Sequence, residues 1–169
     1  MLIRKGVLFV VLRDDTAHFY DKRILNVKTQ KKVAFTGSTY IGQVLRRATA
    51  GTGKKLSLEL GGKSPVIIFD DVDLDAAVEG VVDAIWFNQG QVCSAGSRLL
   101  IQETIFDQAI EKIKLRLKSF RVGSSLDKAV DMAALVDESQ STTIEEYLQS
   151  ARDEGADIFQ PDIEVCKIF

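Results

Sequence analysis

Leu58-Glu59-Leu60-Gly61-Gly62-Lys63-Ser64-Pro65 and Phe87-Asn88-Gln89-Gly90-Gln91-Val92-Cys93-Ser94-Ala95-Gly96 are the two stretches around which the chain is organised. The first sets a carboxylate on a glycine-flanked turn, and the second sets a cysteine on a loop after a strongly apolar, helix-like run. Cys93 is one of two cysteines, so no disulfide framework is implied, and its small neighbours Ser94, Ala95 and Gly96 leave room for a carbonyl to approach sulfur. A thiolate that attacks a carbonyl forms a covalent intermediate, and a carboxylate that takes a proton from water can release it. Glu59 and Cys93 are therefore the candidate base and nucleophile. The plainer alternatives are a solvated carboxylate at a strand end and a small buried hydrophobe.

Working outward, Lys55 to Leu60 alternates polar with apolar residues, as a strand leading to Glu59 does. Gly61-Gly62 is expected to allow a backbone path closed to residues with side chains. Upstream, Lys32-Val33-Ala34-Phe35 reads as a strand running into Gly37 and then a helix from about Tyr40 to Ala50. In a strand, glycine loop and helix, backbone N–H groups and a hydroxyl can approach a phosphate at the helix N-terminus, although a plain turn would look the same. Downstream, Ser64 to Phe69 is apolar and β-branched, the pattern of a strand in a sheet covered on both faces. Asp73 is placed to cap a helix whose apolar positions Leu74, Ala77, Val78, Val81, Val82, Ile85 and Trp86 share one side. That helix stops near Asn88-Gln89-Gly90, which leaves Cys93 in a loop before a strand at Arg98 to Ile101. Thr104 to Phe120 predicts a second amphipathic helix. A third starts near Thr142, with Glu145 in capping-box position, an apolar stripe of Ile144, Tyr147, Leu148 and Ala151, and Gly155 as its stop. Strands alternating with helices predict an α/β fold.

The composition is that of an ordinary globular chain: 169 residues, 46% hydrophobic, 27% charged and a net charge of -2. With no basic excess, nucleic acid and charged membrane surfaces are not the natural partners. The run Val7 to Leu12 is far short of the roughly 20 apolar residues that cross a bilayer, and it reads as a strand. His18 is the single histidine, too few for a histidine metal cluster or a Ser-His-Asp triad. Asp70, Asp71 and Asp73 lack the spacing and glycine of a calcium loop, so no metal site is expected. A free thiol at Cys93 points to a reducing, cytoplasmic compartment.

The segment around Glu59, followed by Gly90-Gln91-Val92-Cys93-Ser94-Ala95-Gly96-Ser97-Arg98, resembles the aldehyde dehydrogenase superfamily in wording, order and separation. Phe35-Thr36-Gly37-Ser38-Thr39-Tyr40-Ile41-Gly42 is similar to that family's nicotinamide-cofactor loop, and Phe87 to Arg98 leans toward its family-16 branch. The resemblance implies an unmatched segment over 1–30, the end of a Rossmann-like NAD(P)-binding domain over 31–60, the first half of the catalytic α/β domain over 61–160, and an unmatched tail over 161–169. It implies NAD, or alternatively NADP, with Gly37, Ser38, Thr39, Gly42 and Leu60 in the cofactor-binding segment. It further implies oxidation of an aldehyde to a carboxylic acid through a thiohemiacetal and thioester on Cys93, with Glu59 as general base. Asp131 to Val136 resembles the family's buried connector. The family's oxyanion-hole asparagine, its adenosine-ribose lysine and its second glutamate find no match, which predicts weak activity or none for this chain alone. The competing readings are a non-catalytic module that pairs with aldehyde dehydrogenase subunits as a homo- or hetero-oligomer, and a piece that folds poorly because its strands lack sheet neighbours.

Overall fold

In a computed structural model that describes the backbone of residues 2–4 and 7–11 and all of residues 30–163, the chain forms two units, Met1–Gly62 and Lys63–Phe169. The first is a four-stranded sheet in the order β1 (Leu2–Arg4), β2 (Val7–Val11), β3 (Lys32–Thr36), β4 (Lys55–Glu59). β1 runs antiparallel to β2, while β2, β3 and β4 are mutually parallel, with Phe35 opposite Leu58 and Thr36 opposite Glu59. The N-terminal apolar run is thus a strand, as expected. β3, which one of the competing readings left without sheet neighbours, has one on each side. Its partner β2 comes from the segment in which the sequence offered no pattern beyond that one run.

Helix α1 (Thr39–Thr49) crosses back from β3 to β4. Ser38 caps it, its Oγ accepting the Ile41 N–H at 3.3 Å, and the turn after it uses left-handed Gly51 and Gly53. Val33 and Phe35 of β3 and Ile41 and Leu45 of α1 are buried together, flanked by Leu56, Leu58 and Leu60. Each such side chain contributes about 1.5–3 kcal/mol when fully removed from water, so this cluster is what holds the helix on the sheet.

In the second unit β5 (Pro65–Ile68) pairs in parallel with β6 (Arg98–Ile101), with Ile67 opposite Leu100. Helix α2 (Leu74–Trp86) makes the crossover, and Asp73 caps it by accepting the N–H groups of Asp75 and Ala76. A 3-10 turn at Glu103–Ile105 leads into α3 (Phe106–Leu117). Ile68, Val78, Val81, Val82, Ile113, Leu117 and Phe120 form the core. Charges zip the two helices outside it: Arg116 Nε donates to both Glu79 carboxylate oxygens at 2.8 and 3.0 Å, and Lys112 pairs with Asp75. Asp70 is also structural, because its Oδ2 accepts from Gln102 Nε2 at 2.6 Å and Thr104 Oγ1 at 3.0 Å. Among the described residues no group of three metal-ligating side chains exists.

Three local expectations are corrected. The β5–β6 sheet is covered on one face only: Val66, Ile68, Leu99 and Ile101 face the helices, while Ile67 and Leu100 are 58% and 51% exposed. The last helix, α4 (Glu138–Asp153), starts four residues early, because Asp137 accepts the Gln140 N–H at 2.8 Å and outcompetes any cap near Thr142. It ends at left-handed Gly155 as expected, with Gly155 N–H bonded to the Arg152 carbonyl and Ala156 N–H to that of Ala151. Its apolar stripe lies open, with Tyr147 74% exposed and no residue of α4 buried. The connector Asp131 to Val136 is likewise half-buried to exposed, not buried.

That connector is held at Asp131, whose Oδ2 accepts the Arg121 N–H at 2.9 Å and faces the same residue's guanidinium at 3.3 Å. The backbone bond, reinforced by the guanidinium, lowers the Asp131 pKa below its ordinary 3.8. A depressed carboxylate stabilises the fold above its unfolded pKa, and that contribution is lost as pH falls through the folded value. Asp131→Asn is therefore expected to lower the urea midpoint at neutral pH, by on the order of 1 kcal/mol or less for a pair open to solvent. The gap between variant and parent should close in urea titrations carried below pH 3.8.

Candidate active site

The first unit presents its candidate residues at the carboxyl ends of β3 and β4, the end of a parallel sheet where ligands bind in open α/β folds. Gly37 N–H donates to the Glu59 carbonyl at 3.0 Å, which ties the glycine loop to the strand end that carries the candidate base. The Glu59 side chain is exposed. Both loop glycines answer a close approach: a Cβ on Gly37 would lie 2.5 Å from Phe35 Cζ, and one on Gly42 would lie 2.6 Å from Leu60 Cδ2. Leu60 therefore rests on α1 where a side chain at 42 would otherwise stand. The first turn of α1 holds no acidic residue, and Thr39 and Tyr40 are exposed beside the cap. A helix N-terminus with small residues and no acidic residue in its first turn fits an anionic group such as a dinucleotide phosphate. Gly61 and Gly62 depart from expectation. Neither has a positive φ, and a Cβ on Gly61 would meet only Thr39 Oγ1 at an ordinary 3.6 Å. At residue 61 the backbone path is open to a residue with a side chain.

In the second unit the loop that carries Cys93 begins with backbone strain. After Trp86 a 3-10 turn, Phe87–Gly90, holds Asn88, Gln89 and Gly90 successively in the left-handed region, at φ 50°, 57° and 72°. Asparagine tolerates this region and glycine prefers it, but each non-glycine residue there costs roughly 1 kcal/mol or more. The cost is offset locally. Gln91 N–H donates to the Asn88 carbonyl at 3.0 Å, its Nε2 reaches the same oxygen at 3.3 Å, and its Oε1 accepts the Val136 N–H at 3.0 Å.

Beyond the cysteine the loop is fixed by packing. Ala95 N–H closes a turn on the Val92 carbonyl at 3.0 Å, Gly96 N–H donates to the Ala84 carbonyl at 2.8 Å, and Arg98 N–H donates to Ser64 at 3.2 Å. A Cβ on Gly96 would lie 2.4 Å from Val66 Cγ2 and 3.1 Å from Ala84 Cβ. Ala95 is buried, whereas Cys93 and Ser94 are exposed and Cys93 is a free thiol. The loop thus runs between two anchored ends, with Cys93 exposed rather than buried. Cys166 and His18 lie outside the described residues.

The model of the aldehyde dehydrogenase family matches residues 3–164. The chain belongs to the aldehyde dehydrogenase family. The match takes in residues 3–30, where the sequence alone offered no resemblance. It is 48% identical over 126 residues to a mitochondrial aldehyde dehydrogenase of Homo sapiens, covering 74% of this chain and 24% of that protein. It is 41% identical over 126 residues to the NADP(+) succinate-semialdehyde dehydrogenase GabD of Escherichia coli (strain K12), covering 75% and 26%. Among solved structures, the betaine aldehyde dehydrogenase of Staphylococcus aureus in complex with NAD+ superposes with a TM-score of 0.78 at 35% identity, covering 82% of this chain and 28% of that one. The α/β architecture is the family's. The chain spans about a quarter of the length of the curated relatives it matches.

Gln91 stood inside the quoted cysteine segment without a role. Its partner Val136 is 45 positions away, and no local pattern announces such a pairing. Gly96 is the position where the loop tolerates least. Gly96→Ala is expected to push the loop off α2 and β5, lowering stability by about 1–3 kcal/mol, the usual cost of overpacking. Urea unfolding reads the loss, and a changed alkylation rate of Cys93 in the native protein reads the displacement.

Proposed function

We propose that this chain carries the nucleophile and the general base of an aldehyde oxidation. The observation that carries the reading is the exposed Cys93 thiol on a loop anchored at both ends, in a member of a family whose relatives are named for that activity. Cys93 Sγ adds to the aldehyde carbon; the carbonyl electron pair moves to oxygen, which the Cys93 backbone N–H can meet, and the thiol proton leaves to solvent. NAD or NADP held at the α1 end would supply the hydride acceptor that oxidation of this adduct to a thioester requires. Glu59 then takes a proton from water as its oxygen adds to the thioester carbon; the carbon–sulfur bond breaks, the acid departs and the thiolate returns.

Gly37, Ser38, Thr39, Gly42 and Leu60 hold the dinucleotide in this reading: Ser38 through its hydroxyl beside a phosphate, and Gly37, whose own N–H is taken by the Glu59 carbonyl, with the others by the shape of the α1 N-terminus. Relatives described with NAD+ and with NADP(+) support a nicotinamide cofactor of either kind. The family boundary near residue 60 is read as the passage from cofactor domain to catalytic domain. A reducing compartment, the cytosol being one, keeps the thiol free. No helix of the described residues is long and apolar enough to cross a membrane.

With p-nitrophenyl acetate as an acyl donor, the parent chain is expected to form an acyl adduct on Cys93 and to hydrolyse it. Cys93→Ser should form none, whereas Glu59→Gln should acylate near the parent rate and release the acyl group about 10²-fold or more slowly. Mass spectrometry follows the adduct. An adduct on the Ser variant of equal yield, or unimpaired release from the Gln variant, sinks the assignment of that residue.

A second reading is favoured by one observation: Ile67, Phe69 and Leu100 leave apolar surface exposed on the β5–β6 unit, and Tyr147 does so on α4. Such surface suits association with another aldehyde dehydrogenase subunit, as a homo- or hetero-oligomer. Sedimentation across a concentration series is expected to show self-association; a monomer at the highest concentration counts against it.

A further inference from the structure

We propose that Gln91 is a positioning residue for the Cys93 thiol, a role that rests on reading Cys93 as the nucleophile. Two positions separate it from Cys93, and it engages both sides of the loop's entry. Its Nε2 joins its own backbone N–H on the Asn88 carbonyl, at 3.3 and 3.0 Å, so that one oxygen in the left-handed run takes two donors from one residue. Its Oε1 accepts the Val136 N–H at 3.0 Å. Gln89 makes a parallel tie: with its amide turned to suit its neighbours, its oxygen accepts the Ala133 N–H at 2.9 Å. Two glutamines on the cysteine loop thus hold two amides, three residues apart, of the segment that leads into α4.

That segment is itself braced. Met132 N–H and Asp131 N–H both donate to the Arg121 carbonyl, at 3.2 and 2.8 Å, and Gly123 N–H donates to the Met132 carbonyl at 3.0 Å. It therefore acts as a strut beside the loop. The loop needs one because Asn88 and Gln89 sit in a conformation that side-chain-bearing residues leave readily when nothing holds them. Released, the run relaxes toward right-handed backbone and carries the entry to Cys93 with it. Gly96 is already fixed at the far end, so the thiol's direction is decided at Gln91.

The test compares Gln91→Ala and Gln91→Glu with the parent chain, and uses Arg116→Ala, which opens the α2–α3 zipper away from the loop, as the control for lost stability. Cys93 alkylation by iodoacetamide is timed by mass spectrometry, native and in urea, with Cys166 as internal reference, and exchange of the Val136 amide is followed in parallel. In Gln91→Ala the native Cys93 rate is expected to move at least about threefold toward the denatured rate, and Val136 exchange to quicken about tenfold. Gln91→Glu keeps an acceptor for Val136 but loses the donor to Asn88, so Val136 protection should return while the Cys93 rate stays between parent and alanine variant. A Cys93 rate in Gln91→Ala within error of the parent, or an equal change in Arg116→Ala, overturns the proposal and leaves Cys93 as nucleophile untouched. Native and denatured rates that already coincide in the parent overturn both readings.

Discussion

The absence of a side chain at residue 96 lets helix, strand and cysteine loop meet. Gly96 donates its N–H to the Ala84 carbonyl of α2 while its α-carbon lies where any Cβ would collide with Val66 of β5. A βαβ crossover must return its chain to the sheet beside the strand it left, and here it does so by passing directly under the helix that made the crossover. Register follows from that contact, with Pro65 opposite Arg98 and Ile68 opposite Ile101. So does the placement of Cys93, three residues before the pinch. The core of Val78, Val81, Val82, Ile113 and Leu117 supplies the free energy, and Gly96 converts it into a fixed exit for the cysteine loop.

The first unit solves a related problem with the same economy. Gly37 and Gly42 remove two side chains so that Phe35 can fill the core beneath the loop and Leu60 can fold back over α1. Their smallness therefore has a packing cause as well as any ligand they admit, and the two causes are compatible, since an exposed helix N-terminus remains above the packed layer. Gly61 lacks a comparable internal reason.

Much of this was legible from spacing. The alternation in Lys55 to Glu59, the three- and four-residue steps after Asp73 and the glycine after α4 each encode a local rule, and each element formed where its rule put it. The misreadings are of another kind. Val66-Ile67-Ile68 is apolar on both faces, which normally means cover on both, and composition cannot say which residues will supply the second layer. Asp137 and Thr142 compete to start one helix, and the carboxylate five residues upstream makes the capping bond. The neighbours of β3 depended on a strand read as an isolated apolar run. Gln91 and Val136 meet only because two loops are brought together by everything between them, which is why the cysteine itself could be recognised but its brace could not.

The left-handed run at Asn88, Gln89 and Gly90 limits how this loop can drift over generations. At 88, asparagine, aspartate or glycine can hold the turn, and at 90 a Cβ would add a 3.2 Å contact with the Ile85 carbonyl to an unfavourable φ. Position 89 tolerates a larger side chain on the condition that its amide keeps a partner in the neighbouring segment. Exchanges here are therefore conditional on residues more than forty positions away, and an alteration in the 133–136 segment changes which residues the cysteine loop can accept. Substitutions in the two loops are expected to be epistatic, and a homologue's loop grafted alone would carry its own strain without the strut that offsets it.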